Sequence, residues 1–242
     1  MKNQTQFTGR KKVLNALKDM IDNPTPRIPV GLLLDTSSSM QGDAIKELNL
    51  GVRQFLDEIT KDPVTACSAE TGIVTFSSEV DLISDFNYAD RITFEDLTAS
   101  GLTKLGEGLE KILDLLSDRK ELYRTYSIEY YQPILVVMSD GSPNGDKAVL
   151  SAQINRIKEL VGSRKLTVIA VGIGSEADMN MLSMLTPCSS PVRLRNLCFR
   201  EFFMWLSDSV SGITDSYPGG EPELDIEELM RLESEEWSQK NL

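Results

Sequence analysis

Five oxygen-bearing side chains define the chemistry open to this chain. Asp35, Ser37 and Ser39 form an Asp-x-Ser-x-Ser sequence, Thr103 lies in a later polar stretch, and Asp140 closes an apolar run. In an extended turn alternate side chains point the same way. Asp35, Ser37 and Ser39 can therefore converge on one point while Thr36 and Ser38 face away. The five are all oxygen donors and two are acids, a set that suits a hard divalent cation. Mg²⁺ wants near-octahedral oxygen ligation and keeps water where the protein offers too few ligands. Neutral hydroxyls leave such an ion electron-poor, so a carboxylate from elsewhere can replace one of its waters. The expectation is a Mg²⁺ recognition site, with Mn²⁺ or Ca²⁺ as alternatives. A storage site would use more carboxylates.

The elements that must position these residues follow from hydropathy. Residues 29–34 (PVGLLL) and 133–138 (PILVVM) are apolar runs without alternation that end at polar segments. That pattern suits strands buried on both faces of a parallel sheet. A further such run is 166–171 (LTVIAV), and 71–76, 80–86 and 192–195 read as shorter strands. The Ser77-Ser78-Glu79 link is short enough for a hairpin, which makes one strand antiparallel to its neighbour. Apolar residues at helical spacing predict helices over 10–22, 43–61, 104–117, 146–162, 177–185 and 199–211. Strands alternating with amphipathic helices give an α/β fold: a doubly wound, mostly parallel sheet with one antiparallel edge strand and helices on both faces. Ligands of such sheets bind beyond the carboxyl ends of the strands, where Asp35 and Asp140 fall. Three parts are expected: a 1–28 extension with a short helix, a 29–214 domain, and a 215–242 acidic tail, partly helical.

Composition narrows the function further. The chain has 242 residues and a net charge of −12. Such acidity disfavours nucleic acid and anionic membrane as partners. The charge is uneven: six Lys/Arg face two Asp over 1–28, and nine Asp/Glu face two Lys/Arg over 215–242. Histidine is absent, which excludes Ser-His-Asp and Cys-His catalysis and any zinc site that needs imidazole. Cys67, Cys188 and Cys198 form no CxxC pair, and free or buried thiols with a structural role, in a reducing, cytoplasmic setting, are the simpler reading. No stretch resembles a signal h-region or a membrane span.

At these residues the chain resembles the von Willebrand factor A family and its metal-ion-dependent adhesion site. The resemblance rests on LLLDTSSSM, IVTFSS, LTKLGEGL, VVMSDGSPN and VIAVGIG, over about residues 29–212. It implies a Rossmann-like fold, with Asp35, Ser37, Ser39, Thr103 and Asp140 as the metal set and a partner Glu or Asp completing the shell. The chain looks most like the bacterial cytosolic, TerY-like subgroup, which implies a role in stress, tellurium-resistance or defence systems. The expected function is a non-enzymatic protein-interaction module, with specificity from loops 40–43, 77–79, 98–103 and 141–146.

Other readings compete with this one. The same site could serve a regulatory subunit of an AAA+ ATPase or a kinase–phosphatase system. A metal-dependent hydrolase lacks histidine and a clear general base beside the metal. A phosphoacceptor Asp35 would need further carboxylates and a well-placed lysine, and Lys165 lies at the wrong end of its strand. Gly172-Ile173-Gly174-Ser175 is read as a tight turn, since it lacks the rest of a dinucleotide fingerprint. Asp43 and Asp146 are expected to start helices. Tyr123, Tyr126, Tyr130 and Tyr131 are expected to line an insert between helix and strand. The acidic tail could place a glutamate on the metal, in its own chain or in a second copy.

Overall fold

The apolar runs form the middle of the sheet because only positions covered on both faces can bury every side chain. The computed structural model describes residues 18, 22–140, 143–194 and 199–214. The predicted helix over 10–22 and the acidic tail lie outside these residues, apart from Lys18 and Asp22 in the former. The strands are β1 (Ile28–Asp35), β2 (Ala69–Phe76), β3 (Val80–Tyr88), β4 (Ile134–Ser139), β5 (Thr167–Ile173) and β6 (Val192–Leu194). Their order in the sheet is β3-β2-β1-β4-β5-β6. All neighbours are parallel except β2 and β3. The short Ser77–Glu79 link is a hairpin, closed by the Ser77 N–H donating to the Glu79 carbonyl at 2.8 Å. The antiparallel strand therefore sits at the edge, as expected.

Alternation along the strands sorts the core into two layers. Val30, Leu32 and Leu34 of β1 face one cluster with Leu48, Val52 and Phe55 of α1 (Asp43–Ile59). Phe199, Phe202 and Phe203 of α6 (Phe199–Ile213) fill the same layer. Leu33 faces the other cluster, beside Leu105, Leu109 and Ile112 of α3 (Leu105–Thr125). Ile154 and Ile157 of α4 (Lys147–Gly162) and Leu182 of α5 (Met179–Ser183) complete it. A glycine at 31 lets α3 sit close on β1, because a Cβ there would lie 3.2 Å from the Ile112 side chain.

Four readings need correction. A short helix, α2 (Pro63–Ser68), stands where none was predicted. Asp62 caps it, accepting from the Thr65 N–H at 2.7 Å, and Pro63 opens it without losing a needed donor. Helix α3 runs to Thr125, well past the predicted end near 117. Tyr123 consequently lies in its last turn, fully buried, rather than in an insert, and Tyr131 is buried too. Cys67 and Cys188 are free thiols as expected, but exposed, so they fill no core space, and Cys198 lies outside the described residues.

Candidate functional site

Strand register brings the site together. Leu34 of β1 pairs with Met138 of β4, so Asp35 and Ser139 are the next residues on adjacent parallel strands. The Ser139 hydroxyl donates to Asp35 Oδ2 at 2.6 Å. The Ser37 N–H donates to Asp35 Oδ1 at 2.8 Å, an Asx turn that folds the chain back over the strand end. Ser37 Oγ and Ser39 Oγ are 3.0 Å apart, and the Ser39 hydroxyl donates to Asp140 Oδ1 at 2.7 Å. Asp35, Ser37, Ser39 and Asp140 therefore form one hydrogen-bonded string across two strand ends. Burial falls along it: Asp35 and Ser37 are buried, Asp140 is half-buried and Ser39 is exposed.

Thr103 is held near this string by backbone. Its N–H donates to Asn144 Oδ1 at 2.8 Å, and the Asn144 N–H donates back to its carbonyl at 3.1 Å. Asn144 thereby ties the Thr103 loop to the segment after Asp140. No hydrogen bond joins the Thr103 hydroxyl to the other four residues. The same loop is stitched to the first one: the Ser38 N–H donates to the Gly101 carbonyl at 3.1 Å, and the Ser100 N–H to the Thr36 carbonyl at 2.8 Å. Gly101 has φ of 81°, and a Cβ there would strike the Ser78 side chain. Ser78 Oγ in turn accepts from the Leu102 N–H at 2.9 Å. Of the loops expected to set specificity, 77–79 and 98–103 thus adjoin the site directly, while Gly141 and Ser142 lie outside the described residues.

Among the described residues, the electrostatics are those of an acidic site without a counter-charge. Burial raises the Asp35 carboxyl to about 6, against the opposing pull of its hydrogen bonds from Ser139 and Ser37. The Asp140 charge raises it further. Asp140 itself is raised, chiefly by burial. No lysine or arginine among the described residues contributes to either shift. The donor set fits a hard cation: two carboxyls and neighbouring hydroxyls, all oxygen, within one string. It is not an acid-rich cage, since among the described residues no three His, Cys, Asp or Glu side chains gather as a metal group.

Ser139 and Asn144 are the residues that sequence reasoning missed. Ser139 stands directly before Asp140, and that adjacency is the one available signal. Asp146 caps α4 as expected, accepting from the Ala148 N–H at 2.7 Å, and Asp43 opens α1. Gly174, with φ of 78°, makes the tight turn after β5.

This sheet order, with acid and hydroxyl groups at the carboxyl ends of its central strands, defines a class. The von Willebrand factor type A domain model matches residues 30–200, and the chain belongs to that family. Solved structures agree on the fold. A von Willebrand factor type A protein from Catenulispora acidiphila superposes with a TM-score of 0.60 at 15% identity, over 77% of this chain and 43% of that one. The vWF domain of the type V pili tip protein Mfa5 from Porphyromonas gingivalis gives 0.55 at 13% identity, over 81% of this chain and 99% of that one. The ArnB paralog VWA2 from Sulfolobus acidocaldarius gives 0.51 at 15% identity, over 76% and 45%. The alignments with the Catenulispora and Sulfolobus proteins thus span less than half of each of those chains. Comparison with curated proteins finds no match.

Proposed function

We propose that this domain binds a protein partner through a divalent cation, most simply Mg²⁺, at the rim formed by Asp35, Ser37, Ser39, Thr103 and Asp140. The observation that carries the reading is the string from Ser139 through Asp35 and Ser37 to Ser39 and Asp140, with both carboxyls raised and no lysine or arginine acting on them among the described residues. Ser37, Ser39 and Asp140 would hold the ion, with Thr103 reaching it from the neighbouring loop. Asp35, the most buried, would orient the serines and balance charge. The metal would supply an open, electron-poor position for a partner's Glu or Asp.

In this reading the protein is a binding module and not an enzyme. A cytoplasmic setting belongs to it, supported by the exposed free thiols of Cys67 and Cys188. A role in a bacterial stress, tellurium-resistance-like or defence system rests on the sequence resemblance to the TerY-like subgroup. The test is a pull-down from the source cell's lysate in Mg²⁺ and in EDTA, beside calorimetric titration of Mg²⁺. Saturable Mg²⁺ binding and a partner lost both in EDTA and with Asp140→Ala are the expected results. Failure to bind Mg²⁺, or the same partners in both lanes, would overturn the proposal.

A further inference from the structure

Beside the rim lies a second concavity of about 550 Å³, between the β2–β3 face and the 93–100 segment. Its walls include Thr36, Thr75, Asp81, Ile83, Glu95 and Leu97. Thr36 stands between Asp35 and Ser37, and its carbonyl accepts from Ser100 N–H at 2.8 Å, so cleft and rim are contiguous. The volume suits a small ligand or a side chain.

The lining specifies the ligand's chemistry. The Thr75 hydroxyl belongs to a residue only 4% exposed, lines the cleft, and has no hydrogen-bond partner among the described residues. A hydroxyl on the cleft lining with no partner of its own can bond to a group that enters the cleft. Asp81 and Glu95, exposed residues of the lining, have no ion pair among the described residues, whereas Asp96 is already paired with Arg53 at 2.6 Å. Apolar Ile83 and Leu97 also line the cleft. The acids and hydroxyls want a donor-rich cation, and the apolar wall wants a hydrocarbon stem. Lysine and arginine combine the two.

We propose that the cleft binds a lysine or arginine side chain of the same partner whose carboxylate reaches the rim, so that the recognised surface is an acid–base pair and not an acid alone. The proposal rests on the metal-site reading for its acidic half; the cationic half stands on the cleft.

The test uses the full chain labelled with ¹⁵N and watched by NMR. Nα-acetyl-lysine methylamide and its arginine counterpart are the probes, with the uncharged norleucine analogue as control. Cationic probes should shift the amides of Thr75, Asp81, Ile83 and Glu95, with and without Mg²⁺. The Asp81→Asn/Glu95→Gln double variant changes exposed residues and keeps the fold, and should weaken the response roughly tenfold or more. Thr75→Val should weaken it as well. Acetate added with Mg²⁺ reads the rim separately in the same samples, so loss of that response strikes the metal reading alone. Glycine- and serine-rich peptides carrying one Glu and one Lys, from adjacent to several residues apart, then test the pair. At least one should bind in Mg²⁺ roughly tenfold more tightly than its Glu-only version. Equal shifts from norleucine, an unaffected double variant, or no gain from the basic residue at any spacing would overturn the proposal.

Discussion

Two buried carboxylates occupy opposite ends of one sheet and have opposite surroundings. Glu70, near the start of β2, is fully buried and faces two guanidiniums, Arg27 at 3.6 Å and Arg119 at 2.7 Å. The Tyr123 hydroxyl also donates to it, and Arg27 stacks on Tyr88 with its Cζ 5.9 Å from the ring centroid. Burial alone would lower Arg119, but the hydrogen bond and charge of Glu70 more than offset this and raise it. Burial drives the Tyr123 phenol well up, with the Glu70 charge adding to it. Asp35, at the end of β1, is equally buried and among the described residues meets only hydroxyls, a backbone N–H and a second acid. One end of the sheet is neutralised from within, which is what a structural anchor needs. Among the described residues, the other end has no cation to balance its acids.

Removing the internal counter-charge should have the largest effect. Glu70→Gln leaves Arg27 and Arg119 without their shared carboxylate, and breaking such a buried pair costs about 3–5 kcal/mol. Urea unfolding would measure it. A loss below about 1 kcal/mol would mean that the two ends do not differ as described.

Acid should act in the reverse sense at the other end. The folded Asp35 carboxyl lies near 6, above its ordinary 3.8, so the folded state keeps a proton that the unfolded state releases. In EDTA, stability should therefore rise as pH falls from about 6 toward 4, by up to ~3 kcal/mol from this group. Asp35→Asn should flatten that rise. A wild type and variant with identical pH profiles in EDTA would show that Asp35 is not held against ionisation.

Mg²⁺ should replace the proton as the stabiliser at neutral pH. At a hundred times its dissociation constant, binding to the folded state alone adds about 2.7 kcal/mol. Thermal unfolding with and without Mg²⁺ reads this, and Asp140→Ala should abolish the shift while Glu70→Gln, once folded, should retain it. The smallest effect belongs to Ser139→Ala, which removes one hydrogen bond to Asp35 at a cost of about 1–2 kcal/mol. It should also weaken Mg²⁺ binding measured by calorimetry, since Asp35 loses its support from β4.

The rim was largely legible because its signals are local. An apolar run followed by Asp-x-Ser-x-Ser marks a strand end and its turn within a dozen residues. The second run ending in Asp140 repeats the signal. The opposite end was invisible for the converse reason. Arg27, Glu70 and Arg119 carry no pattern in the sequence and meet only because β1, β2 and α3 pack together. Ser139 falls between the two cases: its position is local, but its bond to Asp35 depends on the register of β1 and β4.

By itself the sequence determined the α/β class, the buried central strands, the edge hairpin and the acid–hydroxyl set beyond the strand ends. Periodicity and short spacing carry such information, because neighbouring residues share one strand or one turn. Only the tertiary structure decided which acid is neutralised and which is left open. Charge compensation acts through space at a few ångströms, between residues that the chain separates by dozens of positions.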